Sequence, residues 1–495
     1  MDFLDPRNQR RHIIQLYTGY SLVAIAIFLA VTMLLLLAYG FQVSKDGQVI
    51  QNGLVFASSR PVNAEVYLDG IDTKKQTNTR LNIPEGSYQL ELKRDGYRSW
   101  QHQVAVLGGK LVRYDYPLLI PETLTTTTLK TLAATAPGIV TVTPDNRALL
   151  VQQDSSSPSF WQFDLQDTTK EPTNVAIPAK SYTAGGKQTW QIVSWASNKT
   201  HALLKHGYGA KGAYEYILFS RTKPAETVNL NTKLQVAPTE LTFLDGKFDK
   251  YYVYIASDQT LRTAELEKPA TTVLIENVLE YDTYQDDTVL YVATSPSKTA
   301  TTVDLHLKRG GDDYTIRHLA KSSSYYVAVN NYSDNTYVAV ADTVKSQPVV
   351  MVYKDPLAQL KAAKSAVPVV SLKLAPTFLS FSAGGRFIVA ERGTAFATYD
   401  AEYKQAVSYQ TAQPLDRGQT HAAWADGAHL QYVSNKQLYL FDYDGTNAQT
   451  LMPATVGSQV FYDTQYRYAF SISPPTKALK SYTLTSTALR TAADL

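Results

Sequence analysis

The stretch that decides the fold reads AAWADG at residues 422–427, LQYVSN at 430–435 and LYLFDYDGTN at 438–447. Its three short runs are rich in aromatic and branched side chains, and polar turn residues separate them. Such a pattern predicts successive antiparallel strands joined by tight turns, which is most of one small sheet.

The same pattern recurs from about residue 122 to residue 492, where an apolar strand repeatedly runs into a polar turn. The turns are marked by Asp145, Asn198, Asp245, Asp286, Asp334, Gly384, Asp426 and Asp463. A four-stranded propeller blade takes roughly 40–45 residues, which is the mean distance between these marks. The repeat therefore predicts a β-propeller over 122–492, with eight blades, or seven if a terminal unit is partial. Two stacked sandwiches are the structural alternative.

One closed ring is favoured over several domains, because a blade is stable only when its sheet stacks on neighbouring blades. The Thr-rich segment 123–132 is expected to complete the last blade and lock the ring. Residues 422–447 resemble a blade of TolB-type or WD-type propellers. That resemblance implies a fold and no particular function, since propellers host enzymes, binders and scaffolds alike.

Residues 54–118 form a separate block of short alternating runs and turns, which predicts a compact all-β module. Four of its motifs, SRP at 59–61, NAEVYLDG at 63–70, PEGS at 84–87 and DGY at 95–97, resemble the PEGA domain. Ser87 replaces the family's alanine, and Thr79-Arg80 stands where a Thr-Pro pair is common. The resemblance implies an extracytoplasmic β-sandwich without catalytic residues. Its glycines are expected in turns; a ligand role for Glu85 or Tyr97 is the alternative.

No charged residue occurs from Tyr17 to Phe41, and most of this segment is apolar. Twenty residues of helix span about 30 Å, the thickness of a bilayer core, so we predict a transmembrane helix over 17–41. Arg7, Arg10 and Arg11 precede it, so the positive-inside rule places residues 1–16 in the cytoplasm. A polar stalk, 42–53, and all later residues then lie outside. A signal peptide cleaved near Ala38-Tyr39-Gly40 is the alternative.

Composition narrows the chemistry of the 495-residue chain. It has no cysteine, which excludes disulfides, thiolate nucleophiles, iron–sulfur clusters and Cys-rich zinc sites. For an exported chain, that absence favours a bacterial or archaeal surface over a eukaryotic secretory setting. With 47 basic and 44 acidic residues, the chain lacks the strong positive charge of nucleic-acid-binding proteins.

Two loops carry superficial site motifs. GYGAKG at 207–212 matches a dinucleotide fingerprint, but a strand-like run, 214–219, follows where that fingerprint needs a helix. DYDGTN at 442–447 has oxygen side chains at calcium-loop spacing without the final Glu. Both are predicted to be hairpins.

Other candidates stay unassigned. His201 and His206 are five residues apart, which puts strand side chains on opposite faces. The acidic pairs at 286–287 and 312–313 fall in polar turns. The aromatic runs 251–254 and 324–328 are expected to pack between blades, with sugar-stacking platforms as the alternative. We therefore assign no catalytic, metal or cofactor residue and expect no cofactor.

These features together predict an all-β, single-pass envelope protein with a cytoplasmic amino terminus. Its expected partners are the lipid bilayer, through residues 17–41, and a cell-envelope protein or glycan bound by a non-enzymatic propeller. Nucleic acid is not expected. An enzyme acting on cell-wall polysaccharide is the alternative function, and a membrane-tethered assembly scaffold is a third.

Overall fold

The computed structural model describes residues 6–38, 40–43, 49–210, 212–285, 287–295, 301–344, 347–362, 364–419, 421–457 and 459–494. Tyr39, Lys211 and Asp286, which belong to sequence motifs discussed above, lie outside these ranges. The chain divides into two compact units with a boundary between Thr123 and Leu124. Each unit is described by itself.

The first element is a long helix, α1, over Pro6–Ala38. Its segment Arg10–Leu36 is long enough to cross a membrane, and the most apolar 18-residue window within it has a mean hydropathy of 2.4. Apolar side chains such as Phe28 and Leu34 are exposed all along it, as on a helix that faces lipid. A signal sequence would have the same length and composition. The helix starts before residue 17 and ends at Ala38, before the predicted end at Phe41, and the bounds 17–41 of the membrane span itself stay a prediction.

The remainder of the first unit consists of two four-stranded sheets. One sheet contains Phe41–Val43 (β1), Val49–Ala57 (β2), Thr79–Pro84 (β5) and Leu111–Tyr114 (β8). The other contains Glu65–Leu68 (β3), Ile71–Gln76 (β4), Gly86–Lys93 (β6) and Trp100–Val106 (β7). The strand orders are β1-β2-β5, with β8 parallel to β2, and β4-β3-β6-β7. Val55, Val66, Leu90 and Trp100 are fully buried in this unit.

The predicted stalk, 42–53, was wrong for its last residues. Strand β2 begins at Val49, and Asn52 and Gly53 pair with Pro84 and Ile83 of β5. The polar Asn52 is nonetheless buried, and its backbone N–H donates to Gly40 O at 2.8 Å. A polar residue in a paired strand gave no apolar alternation, so sequence reasoning placed the start of the module too late.

The second unit begins with the strand Thr126–Thr131 (β9) and continues as consecutive four-stranded antiparallel sheets. Sheet 1 is Val140–Val142 (β10), Ala148–Gln152 (β11), Ser159–Asp164 (β12) and Thr173–Ala176 (β13). Sheet 2 is Thr189–Trp195 (β14), His201–Tyr208 (β15), Ala213–Ser220 (β16) and Val228–Asn229 (β17). Sheet 3 is Glu240–Phe243 (β18), Lys250–Ile255 (β19), Thr260–Glu265 (β20) and Lys268–Ile275 (β21). Sheet 4 is Val278–Tyr284 (β22), Thr288–Thr294 (β23), Thr302–Arg309 (β24) and Asp312–Ala320 (β25).

Four further sheets follow. Sheet 5 is Val327–Tyr332 (β26), Asn335–Val344 (β27), Gln347–Lys354 (β28) and Pro368–Leu372 (β29). Sheet 6 is Phe378–Phe381 (β30), Phe387–Arg392 (β31), Ala395–Asp400 (β32) and Gln405–Gln410 (β33). Sheet 7 is Ala423–Trp424 (β34), His429–Ser434 (β35), Gln437–Asp442 (β36) and Gln449–Pro453 (β37). Sheet 8 is Phe461–Tyr462 (β38), Tyr468–Ser473 (β39) and Thr483–Ala488 (β40), completed by β9. Short helices lie at Leu230–Lys233 (α2) and Pro356–Lys361 (α3).

Strand β9 closes the second unit. It pairs antiparallel with β40, with Lys130 opposite Leu484, so the start of this unit supplies the fourth strand of its last sheet. The predicted closing role of segment 123–132 is thereby confirmed. The sheets also pack in sequence order, and one apolar cluster joins Leu149 and Phe163 of sheet 1 to Phe470 and Leu484 of sheet 8. Packing of the first sheet on the last makes the unit a ring, which two stacked sandwiches would not be.

The first strands of neighbouring sheets bond to each other along one edge of the sheets. Trp195 Nε1 donates to Thr141 Oγ1 at 2.9 Å, and Trp424 Nε1 donates to Ser380 Oγ at 3.1 Å. The Val329 backbone N–H likewise donates to Asp282 Oδ2 at 2.8 Å. These contacts place the first strands at the inner edge of a β-propeller, where successive sheets come closest.

The polar marks of the sequence repeat occupy one position in the fold. Every mark in the described part of the chain lies between the first and second strands of its sheet. Asp426 shows the reason: its Oδ1 accepts from the backbone N–H groups of Ala428 and His429 at 2.8 and 2.7 Å. At Gly385, beside the Gly384 mark, φ is +71° and a Cβ would lie 2.1 Å from Asn331 O. Only glycine fits there.

We expect Phe470→Ala to destabilise the ring strongly, because Phe470 is fully buried where sheet 8 meets sheet 1. Large-to-small changes of this kind cost about 3–5 kcal/mol. Urea unfolding of the detergent-solubilised chain measures the loss. Val367→Ala is the control, since Val367 is 62% exposed. Equal stability of the two variants would contradict closure at this interface.

Candidate functional site on the loop face

The strand order gives the ring two different faces. The first strand of each sheet starts at one face, where the second strand ends and the third begins; we call this the loop face. It carries the connections between sheets. The other face, the turn face, carries the turns between first and second strands. Three cavities open among loop-face residues, over sheets 2, 5 and 7.

The cavity over sheet 5, the tyrosine cleft, has a volume of about 220 Å³. Tyr325 and Tyr326 line it from the connection between sheets 4 and 5, and Asp342 lines it from the end of β27. Each tyrosine is half-buried, and their rings contact two different apolar clusters, one on each side of sheet 5. The cleft therefore offers fixed aromatic surfaces at an accessible edge.

An ion pair borders the same cleft. Arg317 Nε donates to Asp342 Oδ2 at 2.8 Å, and the Asp342 side chain is 4% exposed. The Tyr325 hydroxyl accepts from the Ser322 backbone N–H at 3.0 Å, which fixes the loop that carries both tyrosines. Aromatic surfaces beside polar groups suit a ligand with both apolar and polar faces, such as a sugar or a peptide.

The cavity over sheet 7 has about 210 Å³ and lies at the equivalent position two sheets further on. Its Gln431 donates to Val460 O at 3.0 Å and accepts from the Tyr462 hydroxyl at 3.1 Å. Gln419 is used in the same way, accepting from Val433 N at 2.8 Å. These amides hold the connections of sheets 7 and 8 in place, so this cavity has a structural explanation.

The cavity over sheet 2 is larger, about 360 Å³, and basic. Lys187 and Lys205 line it, together with the glycine-rich hairpin between β15 and β16. The hairpin confirms that GYGAKG connects two strands. At Gly207 a Cβ would lie 2.4 Å from Thr189 Oγ1, so a larger residue there would require the Thr189 side chain to move.

Two carboxylates lie at the loop-face end of adjacent first strands, Glu240 in β18 and Glu280 in β22. Burial, followed by the negative charge of Glu240, raises the pKa of Glu280 to about 7. Burial also raises the pKa of Asp282, which lies two residues after Glu280 in β22, to about 6, although the Val329 and Thr283 N–H groups donate to it. Glu280 thus exchanges its proton near neutral pH.

The two aromatic runs differ in how deeply they are buried. Tyr251 and Tyr252 are fully buried in the clusters on either side of sheet 3, as predicted for packing between blades. Tyr254 is half-buried, and its ring packs against that of Tyr281 in a tilted arrangement, with 5.5 Å between the ring centres. In the second run, only Ala328 is buried, while Tyr325 and Tyr326 line the cleft.

The remaining sequence candidates form hydrogen bonds, ion pairs or ring contacts with neighbouring residues of their own unit. His206 is buried between Trp190 and Glu215, and His201 stacks on Phe248, so the two rings do face opposite sides of β15. Asp444 Oδ1 accepts from Thr446 N and Oγ1 within the turn after β36. Asp312 pairs with Lys361, and Asp313 accepts from the Tyr291 hydroxyl at 2.7 Å. In the small unit, Glu85 Oε2 accepts from Gly108 N at 3.1 Å and Tyr97 is buried.

Sequence reasoning missed the charged members of the loop face. Arg317, Asp342, Lys187 and Lys205 lie in different strands or loops and form no local motif. Only the pairing of strands within each sheet and the packing of sheets around the ring bring them to one face. Among the described residues, no group of three His, Asp or Glu side chains is placed to hold a metal ion.

Comparisons with known proteins identify the smaller unit. Residues 52–120 match the PEGA domain family model, close to the predicted bounds 54–118. A search of curated proteins found no relative of the chain. Similar solved structures include the Dos1 propeller, at 10% identity and a TM-score of 0.45, with 74% of this chain and 95% of that chain covered. Another is a chain from a structural and mechanistic study of two prolyl endopeptidases, at 11% identity and a TM-score of 0.36, with 77% of this chain and 55% of that chain covered.

We expect the stability of the ring to decrease as the pH rises through about 7, in part because of Glu391. This fully buried group accepts from the Ala422 N–H at the loop face, and burial raises its pKa from 4.5 to about 7. Its contribution is complete below its ordinary pKa and is lost above the raised one, by at most about 3 kcal/mol. Urea unfolding between pH 5 and 8 should show a flatter profile for Glu391→Gln.

Glu276→Gln is the matched control, since Glu276 is exposed. It should keep the pH profile of the wild-type chain. Identical profiles for Glu391→Gln and the wild type would contradict this role of Glu391.

Proposed function

We propose that this protein is a single-pass, membrane-anchored envelope protein whose propeller binds a cell-surface ligand without catalysing a reaction. The observation that carries the proposal is the tyrosine cleft on the loop face. Its two half-exposed rings stand beside an ion pair whose carboxylate, Asp342, is buried, and a hydrogen bond from Ser322 N to the Tyr325 hydroxyl fixes the loop that carries them. The ligand is an envelope glycan, peptide or protein.

The proposal includes one closed propeller of eight blades rather than seven. Eight four-stranded sheets in the described residues, and the pairing of β9 with β40, support this count. A ring of this kind holds its loop face rigid, which lowers the entropy that a binding surface loses when it captures a ligand.

The proposed location is extracytoplasmic, with residues 1–16 in the cytoplasm and α1 as an uncleaved anchor. The apolar segment Arg10–Leu36 and the match to PEGA, an extracellular domain, support it. Arg7, Arg10 and Arg11 at the start of the helix favour the stated orientation. A bacterial origin for the envelope belongs to the same proposal.

External protease added to intact cells should degrade the propeller and spare a tag placed before residue 1. The reason is that α1 would separate the tag from the bulk of the chain. Immunoblots for the tag and for the propeller measure both ends. A propeller that is protected until the cells are lysed would reverse the orientation, and loss of the tag during export would establish a cleaved signal.

Replacing both tyrosines of the cleft, Tyr325→Ala with Tyr326→Ala, should weaken ligand binding by at least about 30-fold, because buried aromatic contacts often carry 2 kcal/mol or more. Glycan arrays and pull-downs from envelope extracts supply the ligand, and titration of the detergent-solubilised chain measures its affinity. The control is Tyr403→Ala, an aromatic residue in the turn between β32 and β33 on the turn face. Equal binding by both variants would remove the cleft from the site.

A second candidate is an enzyme that hydrolyses cell-wall polysaccharide, and the pair Glu240 and Glu280 favours it. A glycosidase needs one carboxyl group that is protonated at neutral pH and one that is ionised. Glu280, with its pKa raised to about 7 by burial and by Glu240, fits the first role. Release of reducing ends by the wild-type chain and not by Glu280→Gln distinguishes the enzyme from the binding protein.

A further inference from the structure

The basic cavity over sheet 2 has no part in the proposed function so far. Its volume of about 360 Å³ falls in the range of small-molecule sites, roughly 300–1,000 Å³. Residues of three neighbouring strands line it, among them Lys187, Thr189 and Gln191 near β14, Lys205 and Gly207 in β15, and Tyr214 in β16. It opens on the loop face, like the tyrosine cleft.

The charge of this cavity is not neutralised. Among the described residues, no carboxylate lies within 4.0 Å of the Lys187 or Lys205 ammonium group, and none lines the cavity. The nearest acid along the chain, Glu215, is on the opposite side of β16. Its oxygens accept from Thr183 N, His206 Nδ1 and Asn229 Nδ2.

A cavity on the turn face of sheet 3 gives a contrast within the same ring. Its lysines are paired: Lys247 with Asp245 at 3.5 Å, Lys250 with Glu265 at 3.5 Å and Lys268 with Glu265 at 2.9 Å. Positive charge alone is therefore not what separates the two cavities. Over sheet 2, neither lysine forms an ion pair among the described residues; the charge of Glu240 reaches Tyr216, which supports Lys205, without pairing with either ammonium group.

Lys205 is also held in position. Its Nζ lies 4.0 Å from the centre of the Tyr214 ring and 5.6 Å from that of Tyr216. The Tyr216 hydroxyl donates to Thr239 O at 3.0 Å, which fixes the aromatic support. A cation held over aromatic rings keeps its charge and its N–H donors for an additional anion.

We propose that the cavity over sheet 2 binds the anionic group of an acidic sugar unit. Lys187 and Lys205 contact its carboxylate or phosphate, and the Tyr214 ring packs against the sugar ring. Thr189 and Gln191 supply neutral polar groups for sugar hydroxyls. This inference rests on the proposed binding function and names the chemistry of one part of the ligand.

The test is titration of the detergent-solubilised full chain with three probes: a galacturonic acid trimer, the neutral galactose trimer, and galactose 6-phosphate. We expect binding of at least one anionic probe and weaker binding as the ionic strength rises, because salt screens charge. The neutral trimer should bind at least about 10-fold more weakly, since it lacks charge-assisted hydrogen bonds. The two anionic probes distinguish a carboxylate from a phosphate ligand.

The variant Lys187→Gln with Lys205→Gln should lose the preference for the anionic probe. The matched control, Lys247→Gln with Lys268→Gln, removes two ion-paired lysines of the turn-face cavity and should bind like the wild type. Unchanged binding by the first variant, or no binding of either anionic probe by the wild type, overturns the acidic-sugar site. Neither result would affect binding that depends on Tyr325 and Tyr326. The proposed function is therefore tested independently of the acidic-sugar site.

Discussion

The structure of the large unit depends on one pairing, that of β9 with β40. Each sheet of the ring has apolar side chains on both faces and becomes stable only between two neighbours. The first and last sheets find their second neighbour in each other, through the cluster that includes Leu149 and Phe470. Because β9 precedes sheet 1 in the chain and completes sheet 8, the covalent chain itself holds this contact. In a chain without cysteine, this strand pairing and the apolar cluster beside it take the place that a disulfide could hold.

Closure also explains where binding chemistry can lie. Sheets in a ring have no free faces, so side chains at the strand ends and in connections are the accessible ones. On the turn face, Asp and Asn side chains such as Asp426 already accept hydrogen bonds from backbone N–H groups of their own turns. The loop-face connections are longer and more varied, and they carry Tyr325, Tyr326 and Lys187. Local hydrogen bonding therefore leaves the loop face freer for a ligand.

The sequence predicts the ring well because its marks are local. An Asp whose carboxylate caps its own turn, or a glycine at positive φ, is visible in one sequence without any partner. The start of the small unit was misplaced for the opposite reason: Asn52 is buried by pairing with a strand thirty residues away. The loop-face charges are non-local as well. Arg317 of β25 and Asp342 of β27 meet only because sheet 4 packs against sheet 5, which no local pattern reveals.

The three loop-face cavities differ in whether their polar groups already have hydrogen-bond or ion-pair partners within the protein. Over sheet 7, Gln419 and Gln431 satisfy backbone groups of the ring, so a ligand would have to displace structural hydrogen bonds. Over sheet 5, Arg317 and Asp342 neutralise each other, and the tyrosine rings are what remains for recognition. Over sheet 2, two cations have no acidic partner among the described residues. An uncompensated charge in a concave site attracts its counter-charge over a longer distance than an aromatic surface attracts a ring. Under the proposed function, an extended ligand with both features would therefore reach sheet 2 first and be selected by its contacts at sheet 5.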